Sequence, residues 1–195
     1  MNRRRYLAAV SAAGVAATAG CNAVTGSQTF SDPTVNQDSP GRKAIIFTGN
    51  DGEVGHFGVD GRVESNRIGL STEIWHQEGT RVNSIKLRLW MPEIATESPA
   101  EVAVSSPVEG DSSPPPSISL YTPNRDPGTV IEITDIDDLA DETISTLNLI
   151  VIPRSETATN LNIHTTIKLS GSSVLSSDYT LRGELQLAFP ELTHS

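Results

Sequence analysis

This 195-residue sequence lacks the motifs of the common catalytic and cofactor-binding folds. It contains no Gly-x-Ser-x-Gly nucleophile elbow and no His-Glu-x-x-His zinc motif. It also contains neither a Gly-Lys-Ser/Thr phosphate-binding loop nor a Gly-x-Gly-x-x-Gly dinucleotide fingerprint. Together these absences predict a protein that is not an enzyme and that holds no organic cofactor.

Cysteine is nearly absent as well. Cys21 is the single cysteine, so no disulfide can form within the chain. The fold must therefore be held by its hydrophobic core. A structured region of about 150 residues suffices for this, because a domain of that size buries roughly 70% of its unfolded surface.

Basic residues are few: 14 Lys and Arg stand against 24 Asp and Glu, for a formal net charge of −10. Proteins bind nucleic-acid phosphates and anionic lipid surfaces through Lys and Arg. The excess of acidic residues therefore predicts no nucleic-acid partner and no electrostatic docking to lipid. An acidic surface remains soluble at high ionic strength, where the Debye length falls to about 3 Å at 1 M salt. The composition therefore favours a high-salt habitat.

A long apolar run is also missing at the N-terminus. Residues 7–19 form a mildly apolar segment of 13 residues, whereas a transmembrane helix needs about 20. A basic head of Arg3, Arg4 and Arg5 precedes this segment, and small residues precede Cys21. A basic head, a short apolar middle and small residues before a cleavage point are typical of a secretory signal peptide, predicted here at 1–20.

The arginine run at 3–7 (Arg-Arg-Arg-Tyr-Leu) is similar to the twin-arginine export motif. The ending Thr-Ala-Gly-Cys at 18–21 is similar to a lipobox, whose cysteine becomes the lipidated N-terminus. The two signals, followed by an acidic body, resemble the exported lipoproteins of haloarchaea. The resemblance implies twin-arginine export, a lipid on Cys21, and anchoring at the outer face of the cytoplasmic membrane. With Cys21 taken by lipid, no thiolate remains for a blue-copper site.

The rest of the chain divides into a tether and one domain. Residues 21–40 are polar and contain no Lys or Arg, which predicts a flexible tether with a root-mean-square reach of roughly 25 Å. The domain is predicted at 41–195. Removing the leader, which carries three Arg, takes the formal net charge from −10 to −13.

Short strands separated by turn signals recur throughout the predicted domain. Asp51-Gly52 and Asp60-Gly61 are typical of type I′ hairpin turns. Apolar residues alternate with polar ones over 81–90, 161–170 and 181–189, as expected for half-buried strands, and the nearly continuous apolar run at 147–152 predicts a central strand buried on both faces. The pattern predicts an antiparallel β-sandwich, either Ig-like or jelly-roll-like.

Three groups of residues are candidate sites. The first is an acidic cluster that supplies oxygen ligands suited to Ca²⁺ but lacks the spacing of an EF-hand; its members are Asp135, Asp137, Asp138, Asp141 and Glu142. The alternative interpretation is a solvent-exposed acidic linker between two strands.

The second group is His56 and His76 with Glu73 and Glu78, which would form a transition-metal site if the strands of the two histidines paired in a suitable register.

The third group is aromatic. Trp90 shares a strand face with Lys86 and Arg88, which marks a candidate binding face, whereas Trp75 is assigned to the core.

The leading hypothesis is a lipid-anchored cell-surface module that binds an extracellular protein or glycan, or that serves as a structural subunit of an envelope assembly. The alternative is a metal-assisted extracellular hydrolase using His56, His76 and nearby carboxylates. A passive spacer is a third class, and the sequence does not separate it from a binding module.

Overall fold

Twelve β-strands make up the part of the chain that this computed structural model describes, namely residues 27–93, 100–106, 117–136, 145–155, 157–171 and 178–192. Their bounds are β1 Gln28–Phe30, β2 Thr34–Ser39, β3 Arg42–Gly49, β4 Gly52–Glu64, β5 Arg67–His76, β6 Thr80–Trp90, β7 Glu101–Ser106, β8 Ser117–Tyr121, β9 Thr129–Thr134, β10 Ser145–Ile152, β11 Asn160–Gly171 and β12 Tyr179–Ala188. A single 3-10 turn follows at Pro190–Leu192. Within these ranges no helix is long and apolar enough to cross a membrane.

The strands form two sheets of six. Sheet I has the order β1-β12-β11-β6-β9-β8, and sheet II has the order β2-β3-β4-β5-β10-β7. Neighbouring strands are antiparallel except for β1, which pairs with β12 in parallel. The turn at 77–79 carries the chain from β5 in sheet II to β6 in sheet I.

Alternation along the strands builds one core between the sheets. On β11 the buried positions are Leu161, Ile163, Thr165, Ile167 and Leu169. Apolar side chains of both sheets form one buried cluster, so the sheets pack face to face. Burying one Leu or Ile side chain stabilises the fold by about 1.5–3 kcal/mol. The predicted β-sandwich is confirmed.

Two predictions about strands 3 to 5 need correction. Asp60 and Gly61 form no turn but lie inside β4, and the chain turns instead at Ser65, whose φ is 63°. A Cβ on residue 61 would stand 2.6 Å from the Phe189 ring, so the glycine leaves room for that ring within a continuous strand. The turn before Gly52 is present, but Gly52 has a positive φ and Asp51 does not, which excludes the predicted type I′ geometry.

The tether prediction for 21–40 is wrong over most of its second half. Residues 28–30 and 34–39 are strands β1 and β2, so the domain begins before residue 41. The Phe30 ring packs against the Tyr179 ring, with 5.9 Å between the ring centroids. The backbone N–H of Gln28 donates a hydrogen bond to the Asp178 carbonyl oxygen at 2.8 Å. Every residue of β2 is exposed at the edge of sheet II. An exposed edge strand has the polar composition of a tether, and composition alone does not tell the two apart.

The strand at 145–152 also differs from its prediction. It is β10, the fifth of six strands in sheet II, and it is buried on one face only. Leu147, Leu149 and Val151 are buried, whereas Ile150 and Ile152 are half-exposed. The half-exposed isoleucines lie on the outer face, where no third layer is present among the described residues.

Candidate functional site

Two rows of side chains cross the outer face of sheet I, because each member is the cross-strand partner of the next. The first row is Glu184, His164, Arg88, Val130 and Tyr121. The second row is Arg182, Thr166, Lys86, Glu132 and Ser119. Cross-strand partners lie about 4.5–5.5 Å apart, so the two rows form one continuous surface across five strands.

The basic residues of this surface are unusually concentrated for this protein. We call it the cationic face; its four cations are Lys86, Arg88, Lys168 and Arg182, and they stand with three acidic residues, Asp126, Glu132 and Glu184. The other residues that the structure describes include seven basic and 13 acidic ones. The cationic face is therefore a region of slight positive excess on a strongly acidic protein.

Aromatic rings hold two of these cations in place. The Arg88 guanidinium lies over the Trp90 ring, 4.4 Å from its centroid, and the Lys86 ammonium lies 5.6 Å from the Tyr121 centroid. Each contact is within the range of a cation–π interaction. The Tyr121 hydroxyl also donates to Glu132 at 3.3 Å. The shared face of Lys86, Arg88 and Trp90 that the alternation predicts is confirmed.

Lys86 remains a cation here. Hydrogen bonding with the Tyr121 hydroxyl raises the pKa of Lys86, partial burial opposes the rise, and the Glu132 charge adds to it. No carboxylate of the described residues lies within salt-bridge distance of Lys86, so its charge is available to a ligand.

A cleft of about 270 Å³ opens between these groups. We call it the Lys86–Arg88 cleft; its lining also includes Tyr121, Pro123, Asp126, Val130, His164 and Thr166. The loop between β8 and β9 contributes Asp126, whose carboxylate pairs with Arg88 at 3.4 Å. Val130 is buried beneath the cleft and gives it an apolar floor.

His164 lies on one wall of the cleft, and its surroundings favour its neutral form. Partial burial lowers the pKa of His164 first, and the adjacent Arg88 charge lowers it further, while Glu184 acts in the opposite direction. Arg182 on β12 and Asp126 on the β8–β9 loop contribute smaller effects of opposite sign. A neutral imidazole offers both a hydrogen-bond donor and an acceptor to a ligand.

This depressed pKa predicts a measurable loss of stability in mild acid. Below about pH 6.5, the ordinary value for histidine, the unfolded chain binds a proton at His164 before the folded chain does. The free energy of unfolding should therefore fall from pH 7.5 to 5.5, and His164→Gln should make that fall smaller. Denaturant melts of both proteins at the two pH values measure the difference; identical falls would contradict the prediction, as would an ordinary His164 pKa measured by NMR.

The outer face of sheet II carries a different aromatic group. The His56 and Trp75 rings stack with centroids 5.6 Å apart and an interplanar angle of 18°. His56 Nδ1 lies 2.7 Å from a Glu53 carboxylate oxygen, and Nε2 lies 3.3 Å from one of Glu73. The core assignment of Trp75 is therefore wrong, because its strand turns this position outward.

The strands of His56 and His76 do pair, but in a register that keeps the two imidazoles apart, so the candidate transition-metal site does not form. His56 is the cross-strand partner of Trp75, and His76 is the partner of Gly55. Positions one apart in register face opposite sides of a sheet. His76 is consequently buried, with Nδ1 2.9 Å from the Thr80 hydroxyl, and the geometric basis of the metal-assisted hydrolase is removed.

The remaining sequence candidates contribute little to a site. Asp135 is exposed beside β9 with a φ of 58°, and Glu78 is exposed in the turn after β5. The other members of the acidic cluster (Asp137, Asp138, Asp141, Glu142) lie outside the described residues, as do Cys21 and Arg3, Arg4 and Arg5. Among the residues described, no group of three or more His, Cys, Asp or Glu is placed to hold a metal ion.

Sequence reasoning did not assign the titratable residues His164 and Asp126 of the cleft to a candidate site. The alternation on β11 places His164 on the polar face of its strand. The missing information was which strands lie beside β11, since Arg88 is 76 positions away in the chain. Asp126 lies in a loop, where no periodicity indicates a direction.

A family model described as "Domain of unknown function (DUF8121)" matches residues 27–191. No curated protein matches the chain.

Several solved structures are similar. A collagen-binding domain from a Staphylococcus aureus adhesin is 9% identical, with 67% of this chain and 95% of that chain covered and a TM-score of 0.44. The GAE domain of GGA2p from Saccharomyces cerevisiae is 12% identical, with 82% and 97% covered and a TM-score of 0.34. The yeast delta-COP-I mu-homology domain, complexed with a Dsl1 WxWxV peptide, is 9% identical, with 67% and 54% covered and a TM-score of 0.35. All three are distant in structure as well as in sequence.

Proposed function

The chain belongs to the DUF8121 family, and from that premise we propose that it is a lipid-anchored β-sandwich domain that binds a partner outside the cell through its cationic face. The observation that carries the proposal is the distribution of charge. Four of the 11 basic residues after Cys21 lie on this one face, which holds three of the 16 acidic residues that the structure describes. An acidic protein that only needs solubility has no reason to gather its cations on one face.

The cations are also prepared for binding. Arg88 and Lys86 are held against Trp90 and Tyr121, so less side-chain freedom is lost when a ligand arrives. Arg, Trp and Tyr are the residues in which binding energy is most often concentrated. A passive spacer would need none of this arrangement.

The position of the anchor suits this role. Six residues separate Cys21 from the start of β1, and at no more than about 3.6 Å per residue they reach at most roughly 25 Å. β1 is one edge strand of sheet I, and β8 is the other. The lining of the cleft runs from β11 to β8. With strands about 4.8 Å apart, the cleft lies roughly 10–24 Å from β1, so the tether joins the domain away from the cleft.

The anchor is tested by membrane fractionation of cells that express the natural chain or Cys21→Ser. We expect the natural chain to remain with membranes and the variant to enter the medium, because two acyl chains hold a protein on a membrane and loss of the lipid leaves no second signal. Release of both proteins would show that Cys21 carries no lipid. Retention of both would show that the membrane holds the protein by another route.

The binding face is tested with the released Cys21→Ser protein, added back to envelopes of cells that lack the natural gene. Adding Lys86→Glu should abolish saturable rebinding. Arg62→Glu is the matched control, since it makes the same change of charge at an exposed position on the outer face of sheet II. Equal rebinding by the two charge variants would contradict the cationic face as the binding surface.

A further inference from the structure

The Lys86–Arg88 cleft mixes charges in a way that restricts its ligand. It contains two permanent cations, Lys86 and Arg88, and one carboxylate, Asp126. The resulting single positive charge matches a ligand group with one negative charge. The same walls present the Thr166 hydroxyl and the His164 imidazole, which donate or accept hydrogen bonds.

We propose that the cleft binds a sugar residue that carries a carboxylate, such as a uronic-acid unit of an anionic polysaccharide. The inference rests on the proposed function, because it names the ligand of the same face. In this arrangement Lys86 and Arg88 bind the sugar carboxylate. Asp126, Thr166 and His164 accept or donate hydrogen bonds to the ring hydroxyls.

The acidic neighbours favour a sugar over an acidic polypeptide. Glu132 and Glu184 lie directly beside the cleft in the two cross-strand rows. An Asp or Glu side chain of a peptide brings a carboxylate without hydroxyl donors, so negative charge would face these residues unpaired, at a cost in binding free energy. A uronic acid has one carboxylate per ring, and its hydroxyls are hydrogen-bond donors that carboxylate acceptors bind well.

The aromatic contacts favour an anionic sugar over a neutral one. One face of Trp90 is covered by Arg88, and Lys86 lies over Tyr121. The cleft therefore presents the cations rather than bare ring faces. Its volume of about 270 Å³ is at the lower end of ligand pockets, which suits a single ring with its neighbours outside the cleft.

The experiment is calorimetric titration of the full-length protein with three probes at one fixed ionic strength. Trigalacturonate carries ring hydroxyls and carboxylates, galactotriose carries the hydroxyls alone, and triglutamate carries carboxylates alone. We expect trigalacturonate to bind with a millimolar or lower Kd, and Lys86→Met to weaken binding about tenfold or more, as the loss of a hydrogen bond to a charged group does. Arg62→Met, on the other sheet, should leave the Kd unchanged.

Each other outcome overturns a stated part of the proposal. Equal binding of galactotriose would show that the carboxylate is not recognised, and tighter binding of triglutamate would assign the cleft to an acidic polypeptide. Absence of trigalacturonate binding up to about 10 mM, roughly 3 kcal/mol of affinity, would overturn the ligand class. If envelope rebinding still depends on Lys86 in that case, the proposed function stands with another ligand; if it does not, both fail.

Discussion

Replacing Gly128 by Ala is expected to lower the free energy of unfolding by about 3 kcal/mol or more, a large effect for a single substitution in a loop. Gly128 has a φ of 95°, which a residue with a side chain rarely adopts. A Cβ there would also collide with the Leu89 carbonyl oxygen and with Trp90 Cβ. Both obstacles belong to β6, a central strand of sheet I, and neither can move without disturbing the pairing of that strand.

The matched control is Gly52→Ala. Gly52 has a similarly unfavourable φ of 126°, but nothing lies within 4 Å of the position of its Cβ. The Gly52→Ala variant therefore measures the cost of the positive φ alone, about 1–3 kcal/mol, without a steric collision of the new Cβ. Urea melts of both variants measure the two losses; an equal loss would show that β6 yields easily at Leu89. Because Gly128 ends the loop that carries Asp126, we also expect Gly128→Ala to weaken binding in the cleft.

Leu87→Ala is expected to remove about 3–4 kcal/mol of stability, within the range for a fully buried leucine. The Leu87 side chain is 0% exposed and points into the core from β6. Its partners Thr165 on β11 and Ile131 on β9 are also 0% exposed, so the cavity cannot fill with water without disturbing both neighbouring strands. Since a typical domain is stable by only 5–15 kcal/mol, roughly a fifth or more of the total would be lost.

Leu120→Ala makes the same chemical change where little is buried. Leu120 is 43% exposed on the edge strand β8, so we expect a loss below about 1 kcal/mol. Guanidinium melts with an unchanged m-value give both numbers. Similar losses for Leu87→Ala and Leu120→Ala would mean that the core between the sheets is loosely packed. No disulfide is available to compensate, since Cys21 is the single cysteine.

The salt concentration decides how strongly the cationic face can attract a ligand. If the protein works at high salt, as its composition suggests, contacts between exposed charges are largely screened. Partly buried pairs are screened less, and Arg88, at 22% side-chain exposure between Trp90 and Asp126, is such a group. Among the four cations of this face, Arg88 is therefore the one whose contacts salt would screen least.

Much of the local structure follows from the sequence alone. Strict alternation over 161–170 and 181–189 predicts β11 and β12 and also which side chains enter the core. The same pattern places Lys86, Arg88 and Trp90 on one face of β6. These predictions succeed because the period of two along a strand is a local property, set by the backbone of each residue and its immediate neighbours.

Predictions fail where the conformation or burial of a segment depends on residues that are distant in the sequence. The glycine at 61 resembles a turn residue, but it leaves room for the ring of Phe189, 128 positions later in the chain. Residues 34–39 are polar because they form an edge strand, and the apolar run at 147–152 is buried on one face only because no described residues cover the outer face of sheet II. None of these neighbours is visible from the segment itself.

The candidate site shows the same division. The sequence by itself determined the strand class of the fold, its acidic character, the absence of disulfides, and the side of β6 on which Lys86 and Arg88 lie. Only the tertiary structure decided that β11 and β9 flank β6, and so brought His164 and Tyr121 to the same cleft while it placed His56 and His76 on opposite faces. The physical reason is that the side of a strand on which a side chain lies is fixed by the local backbone geometry. Which strands pair, and in what register, is fixed by the packing of strands that lie far apart in sequence.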